Sequence, residues 1–278
     1  MKNELLKAAY LEILKDVPQK YFEARDKRPG GVTGLSGLFL PDVSKSYITA
    51  KNKVMVVGCE TAGWEPLGKR IEIAGETKTY LYPPFNGLEN YVDASMRIQQ
   101  AHLNNALEAN RKNDPGRTFF NFFRSAEKVV SREGLVWANL FCFDWGKKSP
   151  IKCSEFNFIK SLSRKLLNRQ IEVLQPDFII FANGIAAAKY RREFFPIGVN
   201  ERCVSSPRSN EDIKTHYLWE FTLDKRIKCF RTHHPSARSP LAEVGRKEAL
   251  KLLSEAIAQR SATNSACTTA NLLHSDLQ

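Results

Sequence analysis

Three short stretches of the chain, Lys53 to Gly58 (KVMVVG), Gly134 to Leu140 (GLVWANL) and Asp177 to Ala182 (DFIIFA), have apolar centres that run on without alternating, the polar residues Lys53, Asn139 and Asp177 standing at or near their ends. A strand with one wet face alternates, so a strand apolar throughout must be covered on both sides, as in a parallel sheet sandwiched between helices. Helical stretches fall between these strands. Strand and helix succession of this kind predicts an α/β fold, a three-layer α/β/α sandwich with a central, mostly parallel sheet. In such sheets ligands gather at the carboxyl ends of the strands.

The remaining segments fit around that frame. Met1 to Val17 carries Leu5, Leu6, Tyr10, Ile13 and Leu14 at helical spacing until Pro18. Asp26 to Asp42 has the glycine and proline density of a loop. Thr61 to Tyr91 is polar, aromatic and broken by Pro66, Pro83, Pro84 and several glycines, and loops of this length in compact domains are usually functional. Helices are predicted over about 94–111 and 118–131, then from an N-cap at Ser154 to about Leu174, where Pro176 ends it, over 184–193, and over 241–259. Residues 217–223 and 226–232 read as a strand pair across Asp224 and Lys225. The domain is therefore expected to span 1–260, with a loop and helical insertion at about 61–117. Residues 261–278, rich in Ser, Thr, Ala and Asn, are expected to form a disordered tail.

Composition narrows the function classes. No run approaches a membrane span and the N-terminus lacks a signal-peptide core, so a soluble, cytoplasmic protein with no membrane partner is expected. The formal charge of +12 favours polyanions, nucleic acid first. The six cysteines are scattered without a CxxC pair, which argues against zinc or an iron–sulfur cluster, so no metal and no cofactor are expected.

Three segments lie just past predicted strands: Gly58-Cys59-Glu60-Thr61-Ala62-Gly63, Ala138-Asn139-Leu140, and His233-His234-Pro235-Ser236-Ala237-Arg238-Ser239. None holds a Walker loop, a GxGxxG fingerprint or a GxSxG elbow, which removes the usual parts for nucleotide hydrolysis, dinucleotide redox chemistry and acyl transfer. In order and content these segments resemble the uracil-DNA glycosylase superfamily. There a glycine-rich loop after a strand carries the residue that places the attacking water, and a late strand ends in a His-Pro-Ser loop. VVGCETAG and THHPSARSP occupy matching places. The form His-Pro-Ser-x-Arg is most like the single-strand-selective monofunctional branch, other branches having Leu at the position of Arg238. The resemblance spans about residues 50–255 and implies a uracil-DNA glycosylase-like fold.

Breaking an N-glycosidic bond passes through an oxocarbenium-like sugar, so a site must stabilise that cation, the departing base and an aligned water. A carboxylate at Glu60 suits the cation and the water. His234 suits a hydrogen bond to the base carbonyl, and these two are the expected catalytic residues. Asn139 can read a flipped pyrimidine by its amide, matching uracil in one orientation and cytosine in the other. Gly58 opens the base-binding loop, and Tyr82 or Phe85 is favoured as the ring that stacks on the base. Ser236, Arg238, Ser239, Lys147 and Lys148 are expected to meet DNA phosphates.

These expectations combine into a monofunctional DNA glycosylase, probing DNA by base flipping, excising uracil or a modified pyrimidine and leaving an abasic site. No lysine holds a motif position suited to a Schiff base. The chain is expected to be a monomer with DNA as partner. If the 61–117 insertion enlarges the pocket, the target is a bulky hypermodified, glucosylated cytosine in phage DNA, an antiviral defence role. A catalytically inactive DNA-binding module of the same fold, and a metal-dependent nuclease built on His233 and His234, are the alternatives from other classes.

Overall fold

The computed structural model describes residues 2–23, 34–64, 69–73, 77–81, 85–108 and 117–275. Six strands form one sheet: β1 (Val54–Gly58), β4 (Leu135–Asn139), β5 (Phe178–Phe181), β6 (Cys203–Ser205), β7 (Leu218–Leu223) and β8 (Ile227–Thr232), in the order β4-β1-β5-β8-β7-β6. The β4-β1, β1-β5 and β5-β8 pairings are parallel, while β7 runs antiparallel to both β8 and β6. The hairpin of β7 and β8 turns through Asp224 and Lys225, both with left-handed φ. A separate antiparallel pair, β2 (Lys69–Ile73) and β3 (Thr77–Leu81), lies within the segment read from sequence as loop.

Every residue of β1, β4 and β5 is buried. Their side chains divide alternately between two cores, as the pleat requires. Met55, Val57, Val136, Ala138, Ile179 and Phe181 face one core. Val54, Val56, Leu135, Trp137, Phe178 and Ile180 face the other. The first core is closed by α1 (Lys2–Leu14) through Leu6, Tyr10 and Leu14, and by α4 (Phe156–Leu174) through Ile159, Leu162, Leu166 and Ile171. The second is closed by α3 (Arg117–Val130) through Phe120, Phe123 and Ala126, and by α6 (Pro240–Ser275) through Ala249, Leu252 and Leu253. Helices on both faces make three layers, each buried Leu or Phe side chain contributing about 1.5–3 kcal/mol. Helix α2 (Leu88–Glu108) serves both cores, with Tyr91, Val92 and Met96 in the first and Leu103 and Leu107 in the second.

Several boundaries differ from the sequence reading. Helix α2 starts at Leu88, directly after Gly87 at φ +110°, so part of the anticipated loop is helical. The N-cap of α4 is Glu155, not Ser154, and it makes no side-chain capping bond. Its carboxylate instead accepts from the Tyr21 hydroxyl at 2.5 Å and pairs with Lys20. Gln175 at φ +50° ends α4 before Pro176. The helix expected over 184–193 is the shorter α5 (Ala188–Phe194). Helix α6 continues to Ser275, through the stretch expected to be a disordered tail; that stretch contains alanines and leucines and neither glycine nor proline. Among the described residues, no helix is long and apolar enough to cross a membrane.

Candidate functional site

The chain leaves β1, forms α2 and α3 on the way to β4, then crosses back over β1 through α4 to reach β5. The connections following β1 and β4 therefore diverge to opposite faces, and a crevice opens at their carboxyl ends. Gly58 pairs with Asn139 in register there. A pocket of about 530 Å³ occupies the crevice. Glu60 reaches it from the loop after β1, Asn139 from the end of β4, and His234 and Ser236 from the loop after β8. Two turns far apart in sequence, one acidic and one bearing imidazole, thus line one cavity.

The loop after β1 is shaped by a carboxylate that the sequence reading did not single out. Asp144 is fully buried, and its Oδ2 accepts from the Thr61 hydroxyl at 2.7 Å and from the backbone N–H groups of Gly63 at 2.7 Å and Trp64 at 3.2 Å. Its Oδ1 accepts from the N–H of Lys147 at 3.0 Å, so one side chain joins the 61–64 turn to the 145–148 turn. In the latter, Gly146 and Lys147 both take left-handed φ between the reciprocal bonds of Trp145 and Lys148, and the Lys147 side chain lies along Gly63. Lys147 thereby lines the pocket, while Lys148 is exposed beside it.

Glu60 has one carboxylate oxygen, Oε2, buried without a partner. Burial raises its pKa, the Cys59 hydrogen bond opposes that, and the nearby Asp144 carboxylate adds to the rise. The Cys59 thiol, itself buried and beside Glu60, is pushed far up and stays protonated as the donor. A carboxylate short of hydrogen bonds in a half-dry cleft is a strong acceptor for a water proton.

His234 is fixed from the other side. The backbone N–H of Ser236 donates to its Nδ1 at 3.2 Å, and the Ser236 hydroxyl lies 2.7 Å from the same atom. A backbone amide can only donate, so Nδ1 is the acceptor and the neutral ring carries its proton on Nε2. Burial, then the charge of Arg246, lowers the His234 pKa and favours that neutral form. Arg246 from α6 donates to the carbonyls of His234 and Ala237 at 3.3 Å each, which ties down the loop. Gly184 provides the room on the other flank, since a Cβ there would meet the His234 Cβ at 3.3 Å.

Asn139 is 6 % exposed. Its Oδ1 accepts from the indole N–H of Trp137 at 3.1 Å, which leaves Nδ2 buried with no partner. Gly58 makes this arrangement possible: a Cβ at that position would sit 2.5 Å from Asn139 Oδ1 and 3.1 Å from the Phe119 ring. The site therefore offers one oriented amide donor, one imidazole N–H and one carboxylate around a common space. No protein-family model matches this sequence, and no curated protein matches it.

The walls are aromatic. Trp64, His102, Phe119, Phe120 and Trp137 line the pocket, and Phe119 lies stacked toward the His234 ring, 23° from parallel with centroids 6.4 Å apart. Trp64 stands edge-on to both His102 and Trp137. A planar heterocycle is the kind of ligand such walls accept. Phe85, favoured from sequence as the stacking ring, is not part of this wall. It stacks on Phe22 at 5.4 Å and leans on Tyr91, half-buried against the first core just before α2 begins. Tyr82 lies outside the described residues. The rings from α2, α3 and β4 stand far from Glu60 in sequence, and only the alternation that puts Trp137 and Asn139 on one face of β4 hints at them.

Arg238 and Ser239 are exposed on the rim of the His234 loop, outside the lining. His233 does not join His234 in the pocket: its ring stacks on Tyr217 at 5.2 Å. Among the described residues no group of three or more His, Cys, Asp or Glu side chains gathers as a metal site would.

Proposed function

We propose that this chain is a monofunctional DNA glycosylase that draws a pyrimidine nucleotide out of DNA and hydrolyses its N-glycosidic bond. The observation that carries the reading is the convergence of Glu60, Asn139 and His234 on one aromatic-walled pocket at the strand ends. In the proposed reaction the C1′–N1 bond breaks with its electron pair leaving on the base. The His234 Nε2–H stabilises the charge that grows on a base carbonyl. Glu60 faces the cationic sugar, takes a proton from water, and the water oxygen bonds to C1′. Asn139 Nδ2 donates to an acceptor on the base edge, which favours an oxo group there over an amino group. The exposed Lys147, Lys148 and Arg238 around the mouth, and the overall charge of +12, suit the flanking phosphates.

One observation favours a second substrate. A cavity of about 530 Å³ is larger than a bare pyrimidine ring requires, so a bulky 5-substituent such as that of glucosylated hydroxymethylcytosine is the alternative target, with Asn139 Nδ2 donating to N3. That target would make the protein an antiviral defence enzyme.

The test is base release. Purified protein is incubated with oligonucleotides holding uracil, 5-substituted uracils or glucosylated hydroxymethylcytosine, and abasic sites are revealed by alkali while free bases are identified by mass spectrometry. Release by wild type and none by Glu60→Gln supports the proposal. Tight, salt-sensitive DNA binding with no base released from any member of the panel would make the chain a DNA-binding module instead.

A further inference from the structure

A second polar site lies on the other side of β8, independent of the glycosylase reading. Arg191 of α5 is 1 % exposed, yet its Nε and Nη1 have no hydrogen-bond partner. Its guanidinium lies over the rings of Trp219 at 4.7 Å, Phe221 at 5.2 Å and Phe181 at 5.9 Å. Ring faces attract the charge but leave the in-plane N–H groups unsatisfied. Arg231, 7 % exposed at the end of β8, is in the same condition: Nη1 donates to the His216 carbonyl and Nε has no partner. Both line a crevice of about 310 Å³ together with exposed Arg192, Thr215 and His216.

Among the described residues no carboxylate offsets these charges. Among the described residues, none of the three arginines forms an ion pair, and the groups acting on Arg191 are Arg231, Arg192 and the thiols of Cys203 and Cys229. Burial pushes Cys203 up to about 11 and Cys229 well above its ordinary value, so both thiols are neutral at physiological pH. Burial, then the like charge of Arg231, brings Arg191 down to about 10, which still leaves it protonated. Buried guanidinium groups with spare donors and only like charges for neighbours are stable when an anion arrives from outside. Three guanidinium groups and a threonine hydroxyl exceed what the two oxygens of a carboxylate can use, and they match the oxygens of a phosphoryl group.

We propose that the Arg191, Arg192 and Arg231 crevice is a phosphate-binding site. Two sources share that chemistry. One is a backbone phosphate of DNA, since Arg231 lies three residues before the pocket-lining His234, at the carboxyl end of β8. The other is a free phosphorylated small molecule.

The experiment is calorimetric titration of the full chain with inorganic phosphate against a chloride background, for wild type, Arg191→Met and Arg192→Ala. Wild type is expected to bind one phosphate saturably, with affinity falling about tenfold or more in either variant. Arg192 is exposed, so its variant carries the test should Arg191→Met fail to fold. Phosphate binding no tighter than chloride, or unchanged in Arg192→Ala, overturns the proposal. Salt-dependent binding of a DNA duplex separates the sources: a log–log slope shallower by about one in Arg192→Ala marks a DNA phosphate. An unchanged slope alongside lost phosphate binding marks a free phosphorylated ligand.

Discussion

The indole of Trp137 and the amide of Asn139 sit on the same face of β4, and the indole N–H donates to Asn139 Oδ1 across 3.1 Å. An indole nitrogen cannot accept, so this contact fixes which end of the amide is oxygen. The choice between uracil-like and cytosine-like pairing, open while Asn139 is considered alone, becomes a question about Trp137. Trp137→Phe keeps the ring and removes the donor. Under the proposed activity, the ratio of kcat/KM for uracil over cytosine substrates is expected to fall by about ten- to a hundredfold, the worth of one oriented base contact. An unchanged ratio would mean that the amide is held by something else.

Glu60 gives a prediction with two readouts of opposite sign. Burial raises its pKa in the folded chain, so protonated Glu60 contributes stability that is fully present below the unfolded carboxylate value, about 4.3. That contribution is lost as pH rises through the higher folded value. Glu60→Gln resembles the protonated form at every pH. Its melting temperature should therefore exceed that of wild type at pH 8 and converge with it at pH 4, while base release drops by about 10²- to 10⁴-fold. Thermal melts at both pH values check the first part, and a variant less stable than wild type at pH 8 would refute it.

Asp144 acts on the site without lining it. Its carboxylate accepts a hydroxyl and three backbone N–H groups, and Asn at that position would turn an NH₂ toward donors. Asp144→Asn is expected to cost about 2–4 kcal/mol in denaturant unfolding, whereas Thr61→Val, which deletes a single donor, should cost about 1 kcal/mol. Equal costs would show that the 61–64 turn does not depend on this acceptor.

What the sequence could reveal follows from how each feature is encoded. The strands Val54–Gly58, Leu135–Asn139 and Phe178–Phe181 are legible because burial on both faces leaves an apolar run that does not alternate, interrupted only by Asn139 at the end of the second. The convergence of Glu60, Asn139 and His234 on one pocket is legible because a parallel sheet brings strand ends together whatever the helices do. The aromatic wall is not encoded locally. Phe119 and Phe120 are part of a helix whose FFxFF pattern reads as core, and most of that pattern is core; only packing turns Phe119 toward His234. Phe85 shows the converse error, since proximity in sequence to Glu60 placed it at the site, while its partner Phe22 lies 63 residues earlier. Asp144 was hidden among FDWGKK, where its role depends on a turn more than 80 residues away in sequence.

The tautomer of His234 is open to direct measurement. The Ser236 backbone N–H on Nδ1 requires the neutral ring to carry its proton on Nε2. Burial lowers the pKa, so the stability this group contributes is present above its unfolded value of about 6.5 and is lost as pH falls through the folded value. Nitrogen-15 correlation spectra of the His234 ring should show the Nε2–H pattern at pH 7 and keep it below pH 6.5, where an exposed histidine is mostly charged. Ser236→Ala leaves the backbone donor in place, so the tautomer should persist in that variant. Ser236→Pro removes the N–H, and the ring should then become a mixture of both tautomers, with weaker stabilisation of the departing base. An Nδ1–H ring in the unmodified protein would point the wrong atom at the base carbonyl and remove His234 from the proposed reaction.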